Sequence, residues 1–329
     1  MKFKLGNLVW FVLQIRWILQ SAPPNLFGIC FLGSSLPTAH NVAMAMSQGF
    51  AFGPGSNDFF SNFDISIVPR GEGYSGANAT LDNDKTVWLI PNPNTSPALS
   101  RSATRVVSKQ PIRFLDDMGA IVSFDTSFSF QIITQSNLSG EGMAFFIAQD
   151  KAFPHNSAGG YLGLSNDTFI NSTTSFPGHD FFAVEFDIAQ SPQFNDPSSS
   201  HIGIDINSLQ SINATDTSGD NNPFSLHRNY RFYTQIWFDA FTNMVQVRLM
   251  NYANMTDYAE SLRLQASIDP SVFNHTSMWV GITATSGSLH QYENDMKPSG
   301  YAIYSWYFST FDDAEFIDIS PSQSPSYET

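Results

Sequence analysis

The chain has one cysteine in 329 residues, Cys30. No intrachain disulfide can form, and thiol chemistry has no second partner anywhere in the sequence. Basic residues are also scarce: 15 Lys and Arg stand against 29 Asp and Glu, giving a net charge of −14. They are nowhere clustered, which excludes a protein built to grip a phosphate backbone, so no nucleic acid is expected as a partner. The acids are dispersed rather than gathered into a tract, and bound cations are one way to offset them. Long apolar runs are missing too. Arg16 interrupts "LVWFVLQIRWIL", which makes that stretch a poor membrane span. No sustained helical periodicity and no 20–50-residue repeat occurs, which excludes helical bundles and solenoids.

What is present is aromatic and alternating. Thirty phenylalanines are spread through the chain, and "AIVSFDTSFSFQII" places Val122, Phe124, Thr126, Phe128, Phe130 and Ile132 on one face. Ser123, Asp125, Ser127, Ser129 and Gln131 take the other. "YRFYTQIWFDAFTNMVQVRLM" reads as two strands around a turn at Asp239–Asn243, and "MWVGITAT" and "IYSWYFST" are further strands. With no internal linker, the expectation is an all-β chain forming one large sandwich over residues 50–312. Residues 1–45 begin with Lys2 and Lys4, run through the apolar stretch and reach the small-x-small triplet Ala43-Met44-Ala45. That pattern predicts a signal segment and a secreted, extracellular protein. Eight N-glycosylation sequons lie beyond it, at Asn78, Asn94, Asn137, Asn166, Asn171, Asn213, Asn254 and Asn274. Residues 313–329, "SPSQSPSYET" among them, read as a disordered tail.

The most informative stretch is "VEFDIAQSPQFNDPSSSHIGID", residues 184–205. Side-chain alternation puts Glu185 and Asp187 on one face of a strand, with Val184 and Phe186 on the other. After a Pro-rich loop carrying Asp196, the parity resumes with His201, Gly203 and Asp205 against Ile202, Ile204 and Ile206. Two strands with apolar backs thus present carboxylates and an imidazole together. Such a set serves either a metal or an active site.

Seven motifs in order decide between them. They are "SKQPIRFLD" before "VSFDTSFSFQI", then "GEGMAFFIA", "GGYLGL", "VEFD…NDP…HIGIDINS", "VGITATSG" and "YSWYF". In these the chain resembles the plant legume-type (L-type) lectin family, from about Phe59 to Ser309. Its loop spacing is most similar to the lectin ectodomains of plant receptor kinases. The resemblance implies a legume-lectin jelly-roll β-sandwich, glycan partners, Ca2+ and a transition metal, usually Mn2+, and a possible homodimer through the flat sheet. It implies that Glu185, Asp187, Asp196 and His201 hold the transition metal. Calcium falls to Asp187, Asp196, the Ala189 carbonyl and Ser191, with Ser211 as an outer partner. The chemistry agrees, because calcium takes oxygen ligands and manganese accepts carboxylates with one imidazole.

The sugar-facing positions depart from the family. Glu141 stands where the family has Asp, Ser191 where it has Asn, and Ala189 where an aromatic ring often lies. Gly160 is retained as a backbone N–H donor. The specificity loop, which holds Ser288 and Leu289, is longer than usual and is either a disordered insertion or a binding element in which His290 or Tyr292 replaces the missing stacking surface. The resemblance also implies a cis peptide bond at Gly140–Glu141. These changes point to an intact metal site and a degraded monosaccharide site, or to a lectin fold that has lost sugar binding and acts through protein contacts. A third reading is a glycosidase using the Glu-x-Asp-x-x-Glu strand motif. "EFDIAQ" starts that motif with Glu185 and Asp187 but ends it in Gln190, and an amide cannot act as general acid.

Overall fold

In a computed structural model, residues 46–52, 65–68, 79–83, 85–95, 102–135, 139–166, 180–254, 260–286 and 297–311 are described. The strands, in chain order, are β1 (Met46–Phe52), β2 (Ile65–Val68), β3 (Thr80–Leu81), β4 (Val87–Ile90), β5 (Ser102–Ser108), β6 (Ser123–Ile133), β7 (Ser139–Ala148) and β8 (Phe181–Asp187). They continue as β9 (His201–Ile206), β10 (Asn213–Asp216), β11 (Arg231–Asp239), β12 (Met244–Asn251), β13 (Leu262–Ser267), β14 (Trp279–Ser286), β15 (Lys297–Pro298) and β16 (Gly300–Phe311).

These strands make two sheets. One runs β13-β12-β11-β6-β16-β4-β3, with β1 also paired to β16. The other runs β10-β9-β8-β7-β14-β5-β2, with the short β15 alongside β7. Every pairing is antiparallel except that of β15. Within the second sheet, β7 to β10 form a meander in which sequence neighbours are also spatial neighbours.

The alternation in β6 is realised as expected. Phe124, Phe128, Phe130 and Ile132 enter the space between the sheets and are fully buried. Thr126 shares their face, and its hydroxyl is satisfied there: it donates to the Tyr307 carbonyl at 2.7 Å and accepts from Trp306 Nε1 at 3.0 Å. The abundance of phenylalanine is explained by ring-on-ring packing across the sandwich. Phe130 of β6 meets Phe186 of β8 at 4.8 Å, and Phe124 meets Phe182 at 5.8 Å. Phe182, Val184 and Phe186 therefore lock β8 to the opposite sheet, and the alternate residues Glu185 and Asp187 must point away from it.

That outer face is covered as well. A second apolar layer including Phe146, Tyr161, Leu162, Phe181, Phe194 and Leu209 fills the space under the loops at 157–166 and 188–200. Strand β8, "FFAVEFD", is buried at every position, which is why it reads as core throughout. The loops resting on this layer bring Gly160, Ser191 and Asp196 over the ends of β7, β8 and β9.

Candidate functional site

Register builds the site. Asp187 of β8 pairs with His201 of β9 and with Gly142 of β7. One step back on the same face, Glu185 pairs with Gly203, and a further step back Ala183 pairs with Asp205. Glu185 and Asp187 are 3% exposed, and His201 and Asp205 are fully buried. Ligand atoms of Glu185, Asp187 and His201 all lie within 4.8 Å of one another. Asp196 enters from the loop after the left-handed Asn195, with its Oδ1 3.7 Å from His201 Nε2. All four residues expected to hold a transition metal are thus brought together.

The donor set suits a cation. His201 Nδ1–H donates to the Ser198 carbonyl at 2.9 Å, leaving Nε2 to face Glu185 Oε1 at 3.2 Å. In a neutral imidazole that nitrogen carries a lone pair, and a lone pair facing a carboxylate oxygen attracts it only through a proton or a metal ion. The titration properties express the same need. Burial first, then the charges of Glu185 and Asp196, push the Asp187 carboxyl well above its usual range. Burial likewise raises Asp196 to about 6, against the opposing hydrogen bond from the Ser191 amide. For His201, burial favours the neutral ring, but the hydrogen bond and charge of Glu185, with the charge of Asp196, outweigh it and raise its pKa.

The loop between β8 and β9 is braced by the acids themselves. Asp187 Oδ1 accepts from the Ala189 amide at 2.8 Å, and Asp196 Oδ2 accepts from the Ser191 amide at 2.6 Å. Two of the residues expected around calcium, Asp187 and Asp196, thus hold the backbone of the other two, Ala189 and Ser191.

The rim residues converge beside it. The Gly140–Glu141 peptide bond is cis, as the resemblance implied. The Glu141 carbonyl accepts from the Ile188 amide at 2.8 Å, and its residue is 4% exposed. A methyl group built on Gly160 would stand 2.8 Å from Ser191 Oγ and 3.8 Å from Glu141 Oε2, so these three expected sugar-facing residues lie close together. Ala189 is half-buried and presents no ring. Ser288, Leu289, His290 and Tyr292 lie outside the described residues, as do residues 1–45 and 313–329. Gln190 is exposed, and its amide donates to the Asp196 carbonyl at 3.1 Å rather than joining the carboxylates. The third position of the glycosidase motif is therefore turned away from the first two. Of the sequons, Asn94, Asn213 and Asn274 are exposed, while Asn78, Asn137 and Asn171 lie outside the described residues.

Three participants were missed by sequence reasoning. Ser198 fixes the imidazole through its carbonyl, for which no side-chain signal exists. Asp205 and Gly203 sit on the correct face in the alternation but were not assigned a part. Ser211, expected as an outer partner, lies 2.8 Å from Glu185 Oε1 and 2.7 Å from Asp205 Oδ1.

Comparison with known proteins follows the same lines. The profile of the legume lectin domain matches residues 57–324. L-type lectin-domain containing receptor kinase V.9 of Arabidopsis thaliana is 31% identical over 276 residues, 80% of this chain and 38% of that protein. The chain spans less than half the length of the receptor kinases it matches. A lectin of Onobrychis viciifolia is 30% identical over 256 residues, covering 76% of this chain and 94% of that protein. Among solved structures, metal-free lectin I-B4 from Griffonia simplicifolia is 27% identical with a TM-score of 0.62, covering 80% of this chain and 99% of that one. The Bauhinia forficata lectin in complex with GalNAc is 25% identical with a TM-score of 0.60, covering 80% and 97%.

Proposed function

The chain belongs to the legume lectin domain family, whose members bind carbohydrate without transforming it, and on that premise we propose a secreted glycan-binding protein with a calcium and manganese site. The observation that carries this reading is the convergence of Glu141, Gly160 and Ser191 directly beside the buried cluster of Glu185, Asp187 and His201. Glu185, Asp187, Asp196 and His201 would hold the transition metal. Asp187, Asp196, the Ala189 carbonyl and Ser191 would hold calcium. When bound, the ions would neutralise the buried carboxylates and stiffen the loop that presents the rim. The chain's own residues do the recognition: Glu141 accepts hydrogen bonds from sugar hydroxyls, and Gly160 donates its amide.

The rim is altered enough to set the ligand class. The longer side chain of Glu141 displaces its carboxylate from the family position, and Ser191 carries one donor fewer than Asn. With no ring at Ala189, a single sugar has little apolar surface to lie against. Oligosaccharides or glycoconjugates that reach Ser288, Leu289, His290 and Tyr292 are the better ligands. Secretion fits the Lys2-to-Ala45 pattern, since β1 begins at Met46, immediately after the small-x-small triplet. Among the described residues, no helix is long and apolar enough to cross a membrane.

Glycan-array screening with and without a chelator tests the reading. Binding abolished by chelation supports it. An array silent with metal bound favours the alternative suggested by Glu141, Ala189 and Ser191: a lectin fold acting through protein contacts.

A further inference from the structure

The Glu185 carboxylate is held at one oxygen. Among the described residues, its Oε1 meets His201 Nε2 at 3.2 Å and Ser211 Oγ at 2.8 Å. The same Ser211 hydroxyl is 2.7 Å from Asp205 Oδ1. Asp205 is fully buried, and its Oδ2 has no hydrogen-bond partner among the described residues. A buried carboxylate is expensive unless something compensates it. The contact exists only because position 203 is glycine: a Cβ there would sit 2.0 Å from Ser211 Oγ and 2.4 Å from Glu185 Oε1. No side chain fits at that separation, and both neighbouring atoms are already committed.

We infer that Asp205, by its own contact with Glu185 and through the Ser211 hydroxyl that both touch in the space left by Gly203, holds Glu185 in place, and that it is a positioning residue for the transition-metal seat rather than the calcium seat. This rests on the metal assignment proposed above. Glu185 and His201 belong to the transition-metal seat alone, whereas Asp187 and Asp196 serve both. Removing the support of Glu185 therefore loosens one seat directly and the other only at second hand. Outer partners of this kind orient a ligand.

The test uses the full chain stripped with chelator, with Mn2+ titrated alone and Ca2+ titrated at saturating Mn2+, both by calorimetry. Asp205→Asn and Ser211→Ala should each weaken Mn2+ binding about 10–100-fold while Ca2+ affinity stays within about threefold. Because the two residues touch each other and share Glu185 as their target, the double variant should lose less than the sum of the two single losses. Unchanged Mn2+ affinity in either single variant overturns the inference. Equal losses for both ions also overturn it, since they mark a general structural defect, and fully additive losses overturn the coupling of Asp205 and Ser211 at Glu185. Should Asp205→Asn fail to fold by near-UV circular dichroism, Ser211→Ala carries the test alone. A wild-type chain that binds neither ion overturns the metal assignment itself, which is a separate outcome.

Discussion

Without metal, the acidic cluster should make the fold less stable as pH rises. Asp196 has its carboxyl raised from 3.8 to about 6, so the folded state holds that proton more tightly than the unfolded chain does. The advantage is present at pH values below the unfolded pKa and is lost as pH climbs toward the folded one. Asp187 and His201 shift in the same direction, so their contributions add to the same slope. A carboxyl raised from 3.8 to about 6 corresponds to about 3 kcal/mol at neutral pH. Asp196 is only partly buried and its neighbours Asn195 and Pro197 are exposed, so solvent screening trims this to about 1–2 kcal/mol. For a domain of this size, that is a change of about 2–8 °C in Tm. Calcium and manganese should remove the penalty. The gap between loaded and stripped protein, followed by differential scanning calorimetry, should therefore widen from about pH 4 to pH 7. Asp196→Asn sharpens the test by reversing sign: it should stabilise the stripped protein at pH 7 and destabilise the loaded one. Equal transitions in EDTA and in calcium plus manganese, or a gap independent of pH, would refute the reasoning.

Other expectations rest on different parts of the molecule. Simple mannose, glucose and galactose should show no measurable binding by calorimetry, because the altered contacts together remove about 2–4 kcal/mol, or about 30- to 1000-fold. The triple change Glu141→Asp, Ala189→Phe and Ser191→Asn should restore it, and sub-millimolar affinity in the unmodified protein would contradict this. Phe186→Ala should lower stability by about 3–5 kcal/mol in chemical denaturation, since its fully buried ring packs on Phe128 and Phe130. Arg105→Lys should cost about 2–3 kcal/mol despite keeping the charge. The planar guanidinium lies over Phe146 and Phe153 and donates to the carbonyls of Lys151, Ala152 and Gly163, which an ammonium cannot reproduce.

Much of the site was legible because alternation is a local property. Glu185, Asp187 and His201 share a face by parity alone, and a strand with a phenylalanine back can turn that face only one way. The β6 pattern was legible for the same reason. What stayed hidden depends on residues distant in sequence. Phe194, Leu209 and Tyr161 look like loop residues until the second apolar layer is assembled beneath them. Arg105 sits inside a buried strand, where the rings of Phe146 and Phe153 and the carbonyls of Lys151, Ala152 and Gly163 explain it. Asp205 had the right parity, but its part depends on Ser211 arriving from the following loop and on the empty space at Gly203. The proximity of Gly160 to Ser191 joins two loops that no periodicity relates.

The meander of β7 to β10 has a consequence for how the molecule comes to exist. Glu141, Gly160, the acids, His201 and Ser211 all fall on one continuous stretch of chain whose strands pair with their immediate neighbours. The opposite sheet must instead wait for β16, near the far end of the fold, to slot between β6 and β4. Short loops close sooner than long ones, because less chain entropy is surrendered before the first contacts form. A nascent chain paused after β10 already contains every residue of the cation cluster. On the metal assignment proposed above, an ion bound at that stage would serve as a nucleus on which the later half of the sandwich closes.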